Sequence, residues 1–357
     1  MDDPVRVLRG VRQAATLGFH IDGETRELMK PAAGELGRVS AERLRDELFK
    51  ILNGPRPDAS MRALEMLGAL PGLLPELVTL KGVEQSPPHI HDVWTHTLAV
   101  LAALEDILSA LLTGSFAEET NDPLTGQLTL QLGRFREQFG NHFSQSLNID
   151  RSVRALLAFA ALYHDVSKPE TRSIDGDGRI RFLEHETRGA EVAAGRLRAF
   201  NLSNDEIDRV EKIIKNHMRI HFHTARLEGQ KLLPSRKAIY RFFRDAGEAG
   251  IDVILLSLAD VRGTRGRTLS QESWAACLEI ARLLLENYWE RPEEAVSPAR
   301  LVDGNELMQA LGLQPGPQLG QLLESIRESQ AAGEIQNREQ ALAFAQAQVI
   351  KSKKGGA

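Results

Sequence analysis

Cysteine is nearly absent from this 357-residue chain, with Cys277 standing alone. An intrachain disulfide and a cysteine-built zinc cluster are therefore both excluded, and a reducing cytoplasmic setting is the expectation. A strong charge of either sign is missing too. Lys and Arg number 44 against 49 Asp and Glu, a net charge of -5. No global basic field marks the chain as a nucleic-acid binder, which leaves only local basic strips. The start, Met1-Asp2-Asp3-Pro4, is acidic where a signal peptide is basic and then apolar. No apolar run is expected to reach the ~18 to 20 residues of a membrane span. The nearest, Leu98 to Leu112, is interrupted by Glu105 and Asp106. What remains is ordinary globular composition, 42% hydrophobic and 26% charged, at a length that suggests two or three domains.

Helical periodicity dominates, and the fold class it predicts is mostly α. Val5, Leu8 and Val11 form an apolar stripe opposite Arg6, Arg9 and Arg12. A second helix is expected from Ser40 to Leu52, stopped by Asn53-Gly54-Pro55. A third covers about Ser60 to Leu70. Ser203-Asn-Asp-Glu206 is a capping box, with Leu202 and Ile207 placed as its hydrophobic staple. The one strand signal is a β-hairpin near 172–182, where Asp175-Gly176 supplies turn chemistry. Gly114 to Leu128 reads as a loop. The tail from Leu301 to about Ala345 reads as short helices punctuated by Gly312, Gly316 and Gly320, and Lys351 to Ala357 as a disordered basic end.

Against this background a dispersed set of metal-type ligands stands out. His164-Asp165 closes the apolar run Ala155 to Tyr163, and Asp260 closes Ile251 to Ala259. A carboxylate at the inner end of such a run is costly to bury unless it is paired or binds a metal. His96 lies in a third apolar helix, and His185 and His217 are further candidates. Imidazole with carboxylate suits first-row divalent metals. Lys168, four residues after His164 and three after Asp165, shares their side of a helix and could neutralise a phosphate. His217 and His221 stand four apart, a spacing that serves one metal if the helix continues. His221 and His223 otherwise read as surface residues, and His89 and His91 as local packing beside Pro87-Pro88.

These residues carry a resemblance. Asp92-Val-Trp-Thr-His96-Thr-Leu98, Tyr163-His164-Asp165-Val-Ser-Lys168-Pro-Glu-Thr171, Phe182-Leu-Glu-His185-Glu186, Asn216-His217-Met-Arg219 and Leu258-Ala-Asp260 resemble the HD metal-dependent phosphohydrolase domain. More narrowly, they resemble the version carried by bacterial tRNA nucleotidyltransferases (CCA-adding enzymes) and the related poly(A) polymerases. Asp3 to Arg12 with Leu17-Gly-Phe19 resembles the neck of that family, Val39 to Leu48 its RNA-binding region, and Gly304 to Gly320 its helical tail. The resemblance implies a neck and RNA-binding region at 1–84, an HD domain at 85–290, a helical tail at 291–350 and an end at 351–357. It also implies phosphodiesterase or phosphatase-type hydrolysis of RNA 3′ ends or nucleotides with one or two divalent ions of the Ni, Mn, Mg or Co class. Asp165 would bridge, His96, His164 and Asp260 would complete the first site, His185 and His217 the second, and Lys168 would steady developing charge. Asp3, Arg6, Arg9 and Arg43 are the implied nucleotide or RNA contacts, with a tRNA acceptor end as partner. The family's head domain, with its Gly-rich turn and paired carboxylates, has no counterpart in these residues. The expectation is therefore a chain lacking that head, acting as the hydrolase, or else as the RNA-binding body of a CCA-adding or poly(A)-adding enzyme whose head is on another chain or missing from this fragment, with nucleotidyl transfer not expected from this chain alone.

Overall fold

The computed structural model describes residues 3–113, 122–149 and 151–354. The architecture is mostly helical, with two small antiparallel strand pairs among the described residues. The chain divides into two compact units, one of Met1–Phe222 with Ala249–Glu279 and the other of His223–Glu248 with Ile280–Ala357.

In the first unit the apolar stripe near the start packs as its spacing predicts. Val5, Leu8 and Val11 are buried at the Arg6–Leu17 helix. The next helices run Ala41–Leu52 and Pro57–Met66. Ser40 is the N-cap of the former without a side-chain cap bond. The latter starts earlier than expected because Pro57 occupies its first turn, where a missing N–H costs nothing.

The centre of this unit is a pair of apolar helices, Val93–Leu112 and Gly250–Arg265, packed along each other. Val93–Leu112 is in fact long and apolar enough to cross a membrane, contrary to the expectation from sequence. Glu105 and Asp106 sit on one half-exposed stripe and do not interrupt the helix, whose remaining surface is mostly buried by protein. Gly250–Arg265 is buried on every side from Gly250 to Val261. Asp260 lies inside it, one turn from its end. Val153–Tyr163 and Asn204–Asn216 complete the bundle. The latter opens on the expected capping box, Ser203 Oγ accepting from the Glu206 amide and Glu206 Oε2 accepting from the Ser203 amide at 2.8 Å.

The hairpin forms from Arg172–Ile174 and Ile180–Phe182. Its turn is longer than two residues. Asp175 and Arg179 close it by a 2.9 Å amide-to-carbonyl bond, and Gly178 rather than Gly176 takes the left-handed conformation, at φ 81°. A second pair, Ser146–Asn148 with Arg151–Ser152, has no sequence signal of comparable strength. Of the expected loop from Gly114, residues 114–121 lie outside the described residues, and Pro123–Leu132 is helical.

The second unit has its own core of Val302, Leu307, Leu322, Ile326, Ile335, Ala341 and Ala345. Lys237 and Arg241, four apart on the Arg236–Ala246 helix, both reach Glu328 of the Pro317–Ala331 helix, at 2.7 and 2.6 Å. Gly312 caps a helix at φ 65° as expected, whereas Gly320 lies within one. The last helix, Arg338–Lys354, carries four residues of the expected disordered end, while residues 355–357 lie outside the described residues.

Candidate metal centre

Each side chain of the cluster is delivered by a helix or a helix end. His96 sits one turn into Val93–Leu112, whose start is capped by Asp92 accepting from the Thr95 amide. His164 is the C-cap of Val153–Tyr163, and Asp165 follows it where the helical path breaks. Tyr163 anchors this corner, its hydroxyl donating to Glu76, which Arg196 also grips at 2.6 Å. His185 opens the His185–Ala199 helix immediately after Glu184, a residue held at φ 60°, uncommon for a side chain with a Cβ. His217 caps the end of Asn204–Asn216. Asp260 comes from Gly250–Arg265, where Thr264 donates to its Oδ1 at 3.2 Å.

These residues converge. His96 Nε2 lies 3.1 Å from Asp260 Oδ1 and 3.3 Å from both Asp165 Oδ2 and His164 Nε2. His164 Nε2 lies 3.1 Å from Asp165 Oδ2. On the other side of Asp165, His185 Nε2 is 3.4 Å from Oδ1. Two triads result, His96-His164-Asp260 and Asp165-His185-His217, with the ligand atoms of each within 4.8 Å of one another. All six residues are buried.

The protonation pattern leaves lone pairs facing inward. His164, His185 and His217 each donate Nδ1–H to the carbonyl three residues earlier, Ala161, Phe182 and Ile214, at 2.8, 2.8 and 2.7 Å. A carbonyl can only accept, so Nδ1 carries the proton and Nε2 the lone pair while the ring is neutral. Burial pushes the His217 imidazole well below its usual range, assisted by the charges of His164 and His185, and burial likewise lowers His185. Burial would lower His96 as well, but its hydrogen bonds to Asp165 and Asp260 prevail and push it up to about 9. Burial raises Asp165, but His164 and Lys168 outweigh it and hold the carboxyl well below the carboxylate range.

Buried polar atoms normally find hydrogen-bond partners. Here His185 Nε2, His217 Nε2 and Asp165 Oδ2 have none with hydrogen-bonding alignment, despite polar atoms close by. Imidazole nitrogens and ionised carboxylates converging with several of their inward-facing atoms left without an aligned hydrogen bond fit a divalent cation, and the centre is a divalent-metal site.

Lys168 is at the cluster, its Nζ 2.7 Å from Asp165 Oδ2 and 2.6 Å from Gln85 Oε1, over the Phe182 ring. Gln85 belongs to a strap that sequence reading missed. Ser86 Oγ accepts from the Ile180 amide, Ile90 N donates to Thr264 O, and His89 packs edge-on against His96 at 5.4 Å. The Pro87-Pro88 spacing signalled a turn but not what it covers. The expected nucleotide or RNA contacts gather elsewhere. Asp3 pairs with Arg43 at 2.5 Å, Arg9 and Arg12 fork onto Glu47 at 3.0 Å each, and Arg6 is exposed.

Comparison with known proteins follows the same layout. Residues 93–262 match the HD domain, 18–80 the probable RNA and SrmB-binding site of polymerase A, and 183–345 the tRNA nucleotidyltransferase domain 2. The CC-adding tRNA nucleotidyltransferase of Thermus thermophilus is 32% identical over 348 residues, 96% of this chain and 66% of that protein. The A-adding tRNA nucleotidyltransferase of Deinococcus radiodurans is 30% identical over 352 residues, 96% of this chain and 68% of the relative. The chain belongs to the tRNA nucleotidyltransferase family. A multifunctional CCA protein of Pasteurella multocida is 44% identical over 274 residues, 74% of this chain and 54% of its own length.

Membership overturns three linked expectations. Near-complete matching of this chain to tRNA nucleotidyltransferases removes the grounds for a headless protein, for a head on a separate chain and for excluding nucleotidyl transfer. The chain spans about two thirds of the length of these two relatives. A Gly-rich turn and carboxylate pair missing from such a span say nothing about the protein as a whole. The HD metal centre is thus embedded in a tRNA nucleotidyltransferase-type protein.

Proposed function

We propose that the centre binds two divalent ions and hydrolyses phosphoesters on RNA 3′ ends or nucleotides, within a protein whose wider activity is nucleotide addition to tRNA. The observation that carries the hydrolytic reading is the shared carboxylate. Asp165 turns Oδ2 toward His96 and His164 and Oδ1 toward His185, so one side chain serves both triads. Imidazole-rich donors favour Mn, Co or Ni over Mg. When bound, such ions supply Lewis acidity and a more acidic water.

The protein's own groups do the rest. The three Nδ1-to-carbonyl bonds fix the ring orientations, so little rearrangement accompanies binding. Lys168 donates to Gln85 and forms an ion pair with Asp165, which leaves donor capacity for a phosphoryl oxygen. Burial of every donor keeps competing water out and strengthens the electrostatics. Asp165→Ala should abolish metal-dependent phosphate release from a phosphoester panel, and unchanged turnover in that variant would sink the reading.

For the protein as a whole, the relatives' names support tRNA as partner and the match over 18–80 supports RNA contact by the helices that carry Asp3, Arg6, Arg9 and Arg43. A cytoplasmic setting belongs to the same proposal.

A further inference from the structure

His221 reads in the sequence as a surface residue, or as a partner of His217 on a continuous helix. The structure gives it neither place. The Asn204–Asn216 helix stops at His217, and a new helix begins at Arg219. The junction turns the two rings to different carboxylates. His217 joins Asp165 and His185, while His221 Nε2 lies 2.8 Å from Asp260 Oδ2.

His221 Nε2 shows the same signature as the Nε2 atoms of His185 and His217. The atom is buried, it has no aligned hydrogen-bond partner, and a carboxylate oxygen of the cluster is near it. A hydrogen bond would satisfy both groups, and at 2.8 Å the pair is close enough to make one. Proximity without alignment is the geometry of two donors aimed at a common third atom. Asp260 is already divided between its oxygens, Oδ1 facing His96 at 3.1 Å and Oδ2 facing His221. With the shared Asp165 Oδ2 the His96-His164-Asp260 triad offers four protein donors, which leaves room for a further one within the four to six that first-row divalent ions take.

We propose that His221 is a further protein donor of this triad, the fifth once the shared Asp165 is included, which makes the site three imidazoles and two carboxylates. The proposal rests on the metal-binding reading above, but does not depend on hydrolysis. It separates the two ions chemically, because the Asp260 ion would have three imidazoles and the other two. His221 is also the most exposed donor, at 23% of its side chain, so this ion would face solvent through its ring.

The test uses the full chain loaded with Co2+, read by equilibrium dialysis with elemental analysis and by visible absorption. His221→Ala should weaken one of two ions by more than a hundredfold and alter the Co2+ spectrum, with the other ion and the thermal melt of the metal-free protein unchanged. His217→Ala should weaken the other ion instead. A loss confined to roughly ten- to a hundredfold, the range of an outer partner that merely orients a ligand, would overturn the proposal. So would recovery of both ions in His221→Gln, because an amide can orient Asp260 but is a poor ligand for these metals. Wild-type protein that takes up no Co2+ would overturn the metal reading and the proposal together. Wild-type protein that binds two ions and hydrolyses nothing would overturn only the hydrolytic reading.

Discussion

Gly263 abuts Val100 so closely that a Cβ on the glycine would stand 2.6 Å from Val100 Cγ2 and 3.0 Å from its backbone nitrogen. Val100 is one turn past His96, and Gly263 is three residues past Asp260. The missing side chain is what lets the two helices approach until His96 and Asp260 are 3.1 Å apart.

Gly263→Ala should therefore push the Asp260 helix away from the His96 helix. The expected cost is about 1 to 3 kcal/mol of stability, the usual range for overpacking a filled interior. Metal affinity should fall as well, because the contact sets the ligand spacing. Thermal denaturation and Co2+ titration of the variant check both, and an unperturbed metal titration would show that the triad tolerates the displacement.

A second buried polar cluster holds the bundle without any ligand-type convergence. Asp252 is fully buried, with His142 Nε2 at 2.9 Å from Oδ1 and Arg209 Nη2 at 2.6 Å from Oδ2. It ties the Gly250–Arg265, Arg136–Phe143 and Asn204–Asn216 helices. Asp252→Ala strands a buried guanidinium and should cost about 3 to 5 kcal/mol. Replacing both Asp252 and Arg209 with apolar residues should recover part of that. Urea unfolding of the single and double variants measures the coupling.

Stability should also carry an acid-side dependence on Glu206. Burial raises its pKa, but Arg151 at 2.5 Å and the Ser203 hydroxyl and amide prevail, so the folded value lies below the usual one. A depressed carboxyl stabilises the fold above its unfolded pKa and loses that contribution as pH falls through the folded value. Glu206→Gln should cost about 1 to 3 kcal/mol near neutrality. The gap from wild type should close as pH drops below the ordinary glutamate range. Melting curves at stepped pH test the sign, and a gap that widened in acid would reverse it.

If tRNA is the partner, its affinity should fall steeply with salt, since phosphate contacts release counterions. Filter binding of tRNA between low and moderate salt measures the slope. Arg6→Ala should reduce it more than Arg9→Ala, because Arg9 is held by Glu47.

The sequence made some of this legible for definite reasons. His164-Asp165 and Asp260 are readable because a carboxylate in an apolar run has few tolerable fates, and Ser203 to Glu206 because the capping box is local. His221 was not, because a four-residue spacing says nothing about where a helix stops. The Asp252 cluster was hidden because its partners lie 110 and 43 residues away. Gln85 was not legible, and His89 read only as local packing and not as a cover on His96, because a strap has no periodicity.

The donors of the metal centre span residues 96 to 260, and only His164-Asp165 are neighbours in the chain. A partly folded chain can therefore offer a cation little more than that adjacent pair. Full affinity arrives only after the sequence-distant Val93–Leu112 and Gly250–Arg265 helices have docked, a slow kind of contact to make. An ion held there acts as a latch on the finished bundle, and the protein's melting temperature becomes a gauge of the free cation around it.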